Sequence, residues 1–123
     1  MESDFELFGR TAKEGMGDPQ WAAYLGWHEE ACANAPRPGT IVYLRADLET
    51  CMKRIAVRGR AGEASIDAAY LARLHDAHEA WIAKLQRDGE RRVVVLDANA
   101  DGDEAVDRLA EAVAAALGVT TAV

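Results

Sequence analysis

The chain has 123 residues, enough for one domain or for part of a larger one. Half of those residues are hydrophobic, which supports a core and excludes intrinsic disorder as the main state. A formal net charge of −7 argues against general binding to DNA or RNA, and no stretch approaches the ~20 apolar residues of a membrane helix.

The opening residues Met1-Glu2-Ser3-Asp4 carry neither the basic start nor the apolar run of a secretory signal, so a cytoplasmic location is expected. Asp4 is placed to cap a first helix bearing Leu7, Phe8, Thr11 and Ala12, which Gly15 and Gly17 would end. Asp18-Pro19 starts a second helix, as an N-cap aspartate with proline at the first helical position. That helix carries Trp21, Tyr24, Leu25, His28 and Cys32 at helical spacing. Trp21 and Trp27, like Trp81 further on, read as core or partly core residues. Cys32 and Cys51 form no CxxC pair and read as reduced, mostly buried thiols.

Pro36-Arg37-Pro38-Gly39 is a helix-to-strand turn. Ile41-Val42-Tyr43-Leu44 and, later, Val93-Val94-Val95-Leu96 are short and continuously apolar, which suits parallel strands covered on both faces. Between them, Asp47 would cap a helix with Leu48, Cys51, Met52 and Ile55 on one face. A longer helix follows, with Leu71, Leu74, His78, Trp81, Ile82 and Leu85. A last helix carries Val106, Leu109, Ala110, Val113, Ala116 and Leu117, with Asp101 and Glu104 at capping-box spacing before it. Strands separated by helical crossovers predict an α/β fold with a parallel sheet and right-handed connections. Two strands make a poor sheet, so further strands are expected upstream.

Arg54 and Arg58 share a helix face, and Gly59 ends that helix so that Arg60 projects from a loop. Three guanidiniums of this kind can fork onto phosphate oxygens and offset charge in phosphoryl transfer, or can form a solvated basic helix end favoured by the helix dipole. Asp4 and Phe8, four apart, can read a base edge while stacking on the base, or serve as a cap and a core aromatic. The run from Asp97 to Gly102 lies beyond a strand's carboxyl end, where open parallel sheets bind ligands, and is equally an Asx-rich turn. His75, His78 and Glu79 lack further ligands at metal-site spacing, so no metal site is expected and His78 reads as a packed histidine.

The text Tyr43-Leu44-Arg45-Ala46, Glu49-Thr50-Cys51, Arg54-Ile55, Arg58-Gly59-Arg60, Glu63, Ile66, Tyr70-Leu71, Leu74-His75, His78-Glu79 and Trp81 resembles the deoxynucleoside kinase family. Ser3-Asp4 with Phe8, then Trp21, Tyr24 and Trp27-His28, and Val95-Leu96-Asp97 with Asn99 extend the resemblance over nearly the whole chain. It implies the C-terminal portion of a P-loop kinase-type parallel sheet, residues 1–123 being the C-terminal part of one kinase domain. It implies that Arg54, Arg58 and Arg60 clamp the phosphates, that Glu63 bonds the deoxyribose 3′-hydroxyl, and that Asp4 and Phe8 hold the base. Asp97, Asn99 and Asp101 would lie near adenine. The implied reaction moves the γ-phosphate of ATP, with Mg²⁺, onto a deoxynucleoside 5′-hydroxyl. The implied partners are a deoxynucleoside and ATP, with a homodimer or a separate N-terminal half, and neither nucleic acid nor membrane.

The sequence departs from that family. It holds no GxxxxGK[ST] loop, no Glu-Arg-Ser motif and no counterpart of the family's general-base glutamate. Phe5, Asp67 and Gly102 stand where the family often has arginine, proline and a bulkier residue. A truncated or split kinase is the leading reading, and the alternative is a non-catalytic remnant that binds a nucleotide or a partner. Either way, an exposed apolar sheet edge is expected.

Overall fold

The computed structural model of the protein describes residues 3–60, 62 and 66–118. The first helix, α1, spans residues 4–15 in three registers: a π-helical stretch Asp4–Gly9, an α-turn Arg10–Ala12 and a 3-10 turn Lys13–Gly15. Ser3, not Asp4, is its N-cap. The Asp4 carboxylate is engaged elsewhere, accepting a hydrogen bond from the Tyr24 hydroxyl at 3.3 Å. Helix α2 spans Asp18–Asn34, and its N-cap is Gly17, one residue earlier than the sequence suggests. The Gln20 side chain accepts from the Gly17 N–H at 2.9 Å, a better-placed partner for the helix start than Asp18.

Strands β1 (Thr40–Arg45) and β2 (Arg92–Asp97) pair in parallel, in register from Thr40↔Arg92 to Arg45↔Asp97. Helices α3 (Leu48–Arg58) and α4 (Ala68–Asp88) make the crossover, and α5 (Asp103–Leu117) follows β2. This is the expected order of elements, and the parallel α/β architecture is as read from the sequence. Asp47 is the N-cap of α3, although its side chain makes no capping bond. Asp67 does cap α4, accepting from the Ala69 N–H at 3.1 Å. Helix α3 closes on Gly59 at φ 59°, a left-handed position that glycine adopts without strain.

The expected capping box before α5 does not form. Gly102 is the N-cap, at φ 99°, and the Asp101 carboxylate pairs with Arg54 instead.

Burial is modest. Among the described residues the buried apolar side chains are Phe5, Leu7, Ile82, Leu85, Ala98, Ala105 and Ala116. Helix α4 packs on α1, α3 and β2, and α5 packs on β2. The Arg92 guanidinium also ties β2 to the Ala116 carbonyl of α5. Phe5 fills the α1–α2 junction, its ring stacked at 4.0 Å on His28 and flanked by Trp21 and Tyr24. Trp27, expected at least partly in the core, is 57% exposed, because α2 buries no residue fully and turns Trp27 outward. The strands are half-buried rather than covered on both faces, and Leu44 is 48% exposed. Cys32 and Cys51 are free and half-buried, less enclosed than expected.

Candidate functional site

The two strands end side by side at Arg45 and Asp97, and the segments that leave them are bonded together. The Ala98 N–H donates to the Arg45 carbonyl at 2.7 Å. Asn99 holds the start of α3: its Oδ1 accepts from the Asp47 N–H at 2.8 Å and from the Thr50 hydroxyl at 3.0 Å. Asn99 is held in turn by Asp97, whose Oδ1 accepts from the Asn99 backbone N–H at 2.8 Å and from Nδ2 at 3.0 Å. This is an Asx turn of the kind that the run of Asx residues suggests.

One turn further along α3, Arg54 reaches the same loop. Its Nε and Nη2 lie 3.1 and 3.0 Å from Asp101 Oδ1, and Nη2 also donates to the carbonyls of Asn99 and Ala100 at 3.3 Å. The structure therefore joins Arg54 with Asp97, Asn99 and Asp101 into one bonded unit. Arg58 and Arg60 are exposed beyond it, at the last residue of α3 and just past Gly59. Glu63 lies outside the described residues.

A second cluster lies on α1. Asp4 is exposed and Phe8 is 47% exposed, so Phe8 offers a free aromatic surface and is not a core side chain. The Phe8 ring meets His78 of α4 edge-on, at 6.4 Å and 88°. His78 stacks on Tyr43 of β1, at 6.1 Å and 17°, and its Nδ1 lies 2.6 Å from the Leu74 carbonyl. That is the packed histidine expected. Among the described residues no group of His, Cys, Asp and Glu side chains can hold a metal ion.

From Tyr43 the connection runs to the strand end. The Tyr43 hydroxyl donates to Glu79 Oε1 at 3.1 Å, and Arg45 makes a two-pronged pair with Glu79, Nε to Oε1 at 3.0 Å and Nη2 to Oε2 at 2.9 Å. Burial, followed by the bond to Glu79, raises the Tyr43 pKa; burial and then the Asp4 charge raise that of Tyr24. The sequence alone offers Tyr24, Tyr43 and Arg45 no site role, and Glu79 only that of a metal ligand without enough partners. The available signal was the His78-Glu79 and Tyr43-Leu44-Arg45 text itself, which fixes the spacing but not the pairing across the fold.

A family model for deoxynucleoside kinases matches residues 1–117. The chain belongs to the deoxynucleoside kinase family. It is 34% identical to deoxycytidine kinase of Homo sapiens over 90% of this chain and 47% of that protein. It is 31% identical to deoxycytidine kinase of Rattus norvegicus over 96% of this chain and 50% of that protein. The chain thus spans about half the length of the curated relatives it matches. A deoxyadenosine kinase from M. mycoides, with dCTP bound, superposes with a TM-score of 0.74 at 19% identity, covering 92% of this chain and 60% of that one. The parallel sheet and flanking helices of this deoxynucleoside kinase chain are therefore those of the family fold.

Proposed function

We propose that this chain supplies the phosphate-clamping arginines and one wall of the nucleoside pocket of an ATP-dependent deoxynucleoside kinase. Residues 1–123 would be the C-terminal part of a single kinase domain. The observation that carries the reading is the bonded unit of Arg54, Asn99 and Asp101 at the carboxyl ends of two parallel strands, where ligands of such sheets sit.

In this reading Arg58 and Arg60 bind phosphate oxygens, where planar guanidiniums suit a charged, multi-oxygen group. Arg54 borders both the phosphates and the loop carrying Asp97, Asn99 and Asp101, which receives adenine. Phe8 stacks on the deoxynucleoside base, Asp4 meets its edge, and Glu63 bonds the 3′-hydroxyl. The arginines offset the charge of the transferring phosphoryl group; the base that takes the 5′-hydroxyl proton lies in the half of the kinase that this chain does not span. Mg²⁺ finds no carboxylate cluster among the described residues, so triphosphate oxygens and groups beyond them would hold it. Assembly as a homodimer and a cytoplasmic location belong to the same proposal. No helix among the described residues is long and apolar enough to cross a membrane.

The test is phosphoryl transfer from Mg-ATP to each of the four common deoxynucleosides. It is run with the purified chain and with the chain joined to a kinase half bearing a GxxxxGK[ST] loop. Transfer only by the joined form, abolished by Arg58→Ala with Arg60→Ala, is expected. No transfer by a folded joined form would favour a remnant that binds without catalysing.

A further inference from the structure

We infer that Asn99 is a positioning residue: its side chain is engaged by α3, and through that helix it sets where the arginines stand. The inference rests on the kinase reading for what the arginines do, and on geometry alone for how they are held. An asparagine amide offers an oxygen with two lone pairs and a nitrogen with two hydrogens. Asn99 Oδ1 accepts from the Asp47 N–H at 2.8 Å and from the Thr50 hydroxyl at 3.0 Å, so both lone pairs are taken. Nδ2 donates to Asp97 Oδ1 at 3.0 Å, which leaves one N–H.

Turning the amide over would set Nδ2 against the Asp47 N–H, donor to donor, which fixes this orientation. An asparagine reads adenine by a two-pronged contact, its oxygen accepting from N6 and its nitrogen donating to N7. Asn99 has no acceptor left for that contact. Its bonds also stand in for something. Asp47 is the N-cap of α3, yet its side chain makes no capping bond. Instead the Asp47 N–H is bonded to a residue 52 positions on, and Thr50 of the first turn is bonded to the same oxygen. The start of α3 therefore takes its place from the loop after β2.

The arginines follow that placement. Arg54 donates to the carbonyls of Asn99 and Ala100 at 3.3 Å and pairs with Asp101. Arg58 is the last residue of the same helix. Loop and helix are thus tied at Thr50 and again at Arg54, one turn on, and they shift together. Misplacing a group by about 1 Å at a reacting centre can cost about 100-fold in rate. The Asn99 amide can therefore govern phosphoryl transfer without touching either substrate.

The experiment uses Asn99→Ala, Thr50→Val and the two together, with Thr50→Ser to keep the hydroxyl. In the purified chain, hydrogen exchange is read by NMR at the Asp47 amide and at the Arg54 Nε–H. Asn99→Ala and Thr50→Val should each speed both by about fivefold or more, the size of one lost hydrogen bond. The double variant should exceed the stronger single by less than about twofold, because both changes delete one clamp. Thr50→Ser should stay nearer the parent than Thr50→Val. Unchanged exchange in β1 and β2 shows that the variants remain folded. An Arg54 Nε–H indifferent to both single variants would overturn the inference. In the chain joined to a kinase half bearing a GxxxxGK[ST] loop, each should lower kcat about fivefold or more, with KM for ATP within about twofold. A raised KM for ATP at unchanged kcat, from Asn99→Ala alone, would put Asn99 against the nucleotide and overturn the inference as well. A folded parent that transfers nothing would count against the kinase reading, whereas the exchange measurements decide the clamp by themselves.

Discussion

Arg54 is held by the 97–101 loop before any ligand arrives, and its pairing with Asp101 is solvent-exposed on the carboxylate side, 81% for Asp101. Such pairs contribute little to stability. Asp101→Asn should therefore shift urea unfolding by less than about 1 kcal/mol, while freeing Arg54 to move. In a complete kinase, Arg54→Ala should weaken nucleotide binding more, by about 1.5–3 kcal/mol for lost charge-assisted bonds, measured by titration with ATP. Gly9 bears on a different residue. A Cβ there would sit 2.8 Å from Tyr24 Cε1, so Gly9→Ala must push the ring away and break its bond to Asp4. The expected cost is about 1–3 kcal/mol in thermal or urea unfolding.

The two tyrosines give the pH dependence its sign. Folding raises both pKa values, so the folded chain favours the protonated hydroxyls. Their contribution is whole below the ordinary tyrosine value of about 10 and is lost as pH rises through the raised ones. With respect to these groups the urea midpoint should be level from pH 7 to about 9 and fall above about 10. Tyr43→Phe should reduce that fall and cost about 1 kcal/mol at neutral pH.

At the scale of elements, Glu79 fixes α4 to β1 by accepting three bonds from Tyr43 and Arg45. Through His78 the same contact sets the Phe8 ring of α1. Glu79→Gln should leave helix content intact, speed amide exchange in the middle of α4, and weaken deoxynucleoside binding in a complete kinase more than ATP binding. Equal weakening of both would remove the positioning role. Elements of this kind were legible where the signal is local: Asp47 before α3, Gly59 after it, and two apolar runs separated by helical spacing. Misreadings arose where a distant partner decided the outcome. Asp4 forgoes its cap for Tyr24, 20 residues on, and Asp101 forgoes a capping box for Arg54, 47 residues back. No local rule weighs those bonds against capping. Trp27 failed differently, because helical spacing shows which residues share a face but not whether anything covers it.

At the scale of the whole molecule, the described residues form a two-stranded sheet with half-buried strands, a thin core for their number. Isolated sheets of that size are marginal. The chain alone should unfold over a broad urea range and bind a dye for exposed apolar surface, and a sharp two-state transition without dye binding would count against this. The fold class and the family were recoverable because the motif text spans nearly every element. Burial was not, because the same apolar strand sequence serves whether or not its neighbours are present.

Asn99 clamps the first turn of α3 through Asp47 and Thr50, and Arg54 clamps the next. The front of that helix is therefore anchored to the strand ends, whereas its last turn runs into Gly59 at φ 59°. In the kinase proposed above, a turn of the backbone that carried Arg60 toward a phosphate would pivot at Gly59, where glycine takes a left-handed conformation without strain. The anchored helix would then be the fixed post of that turn, and the sheet would need little rearrangement.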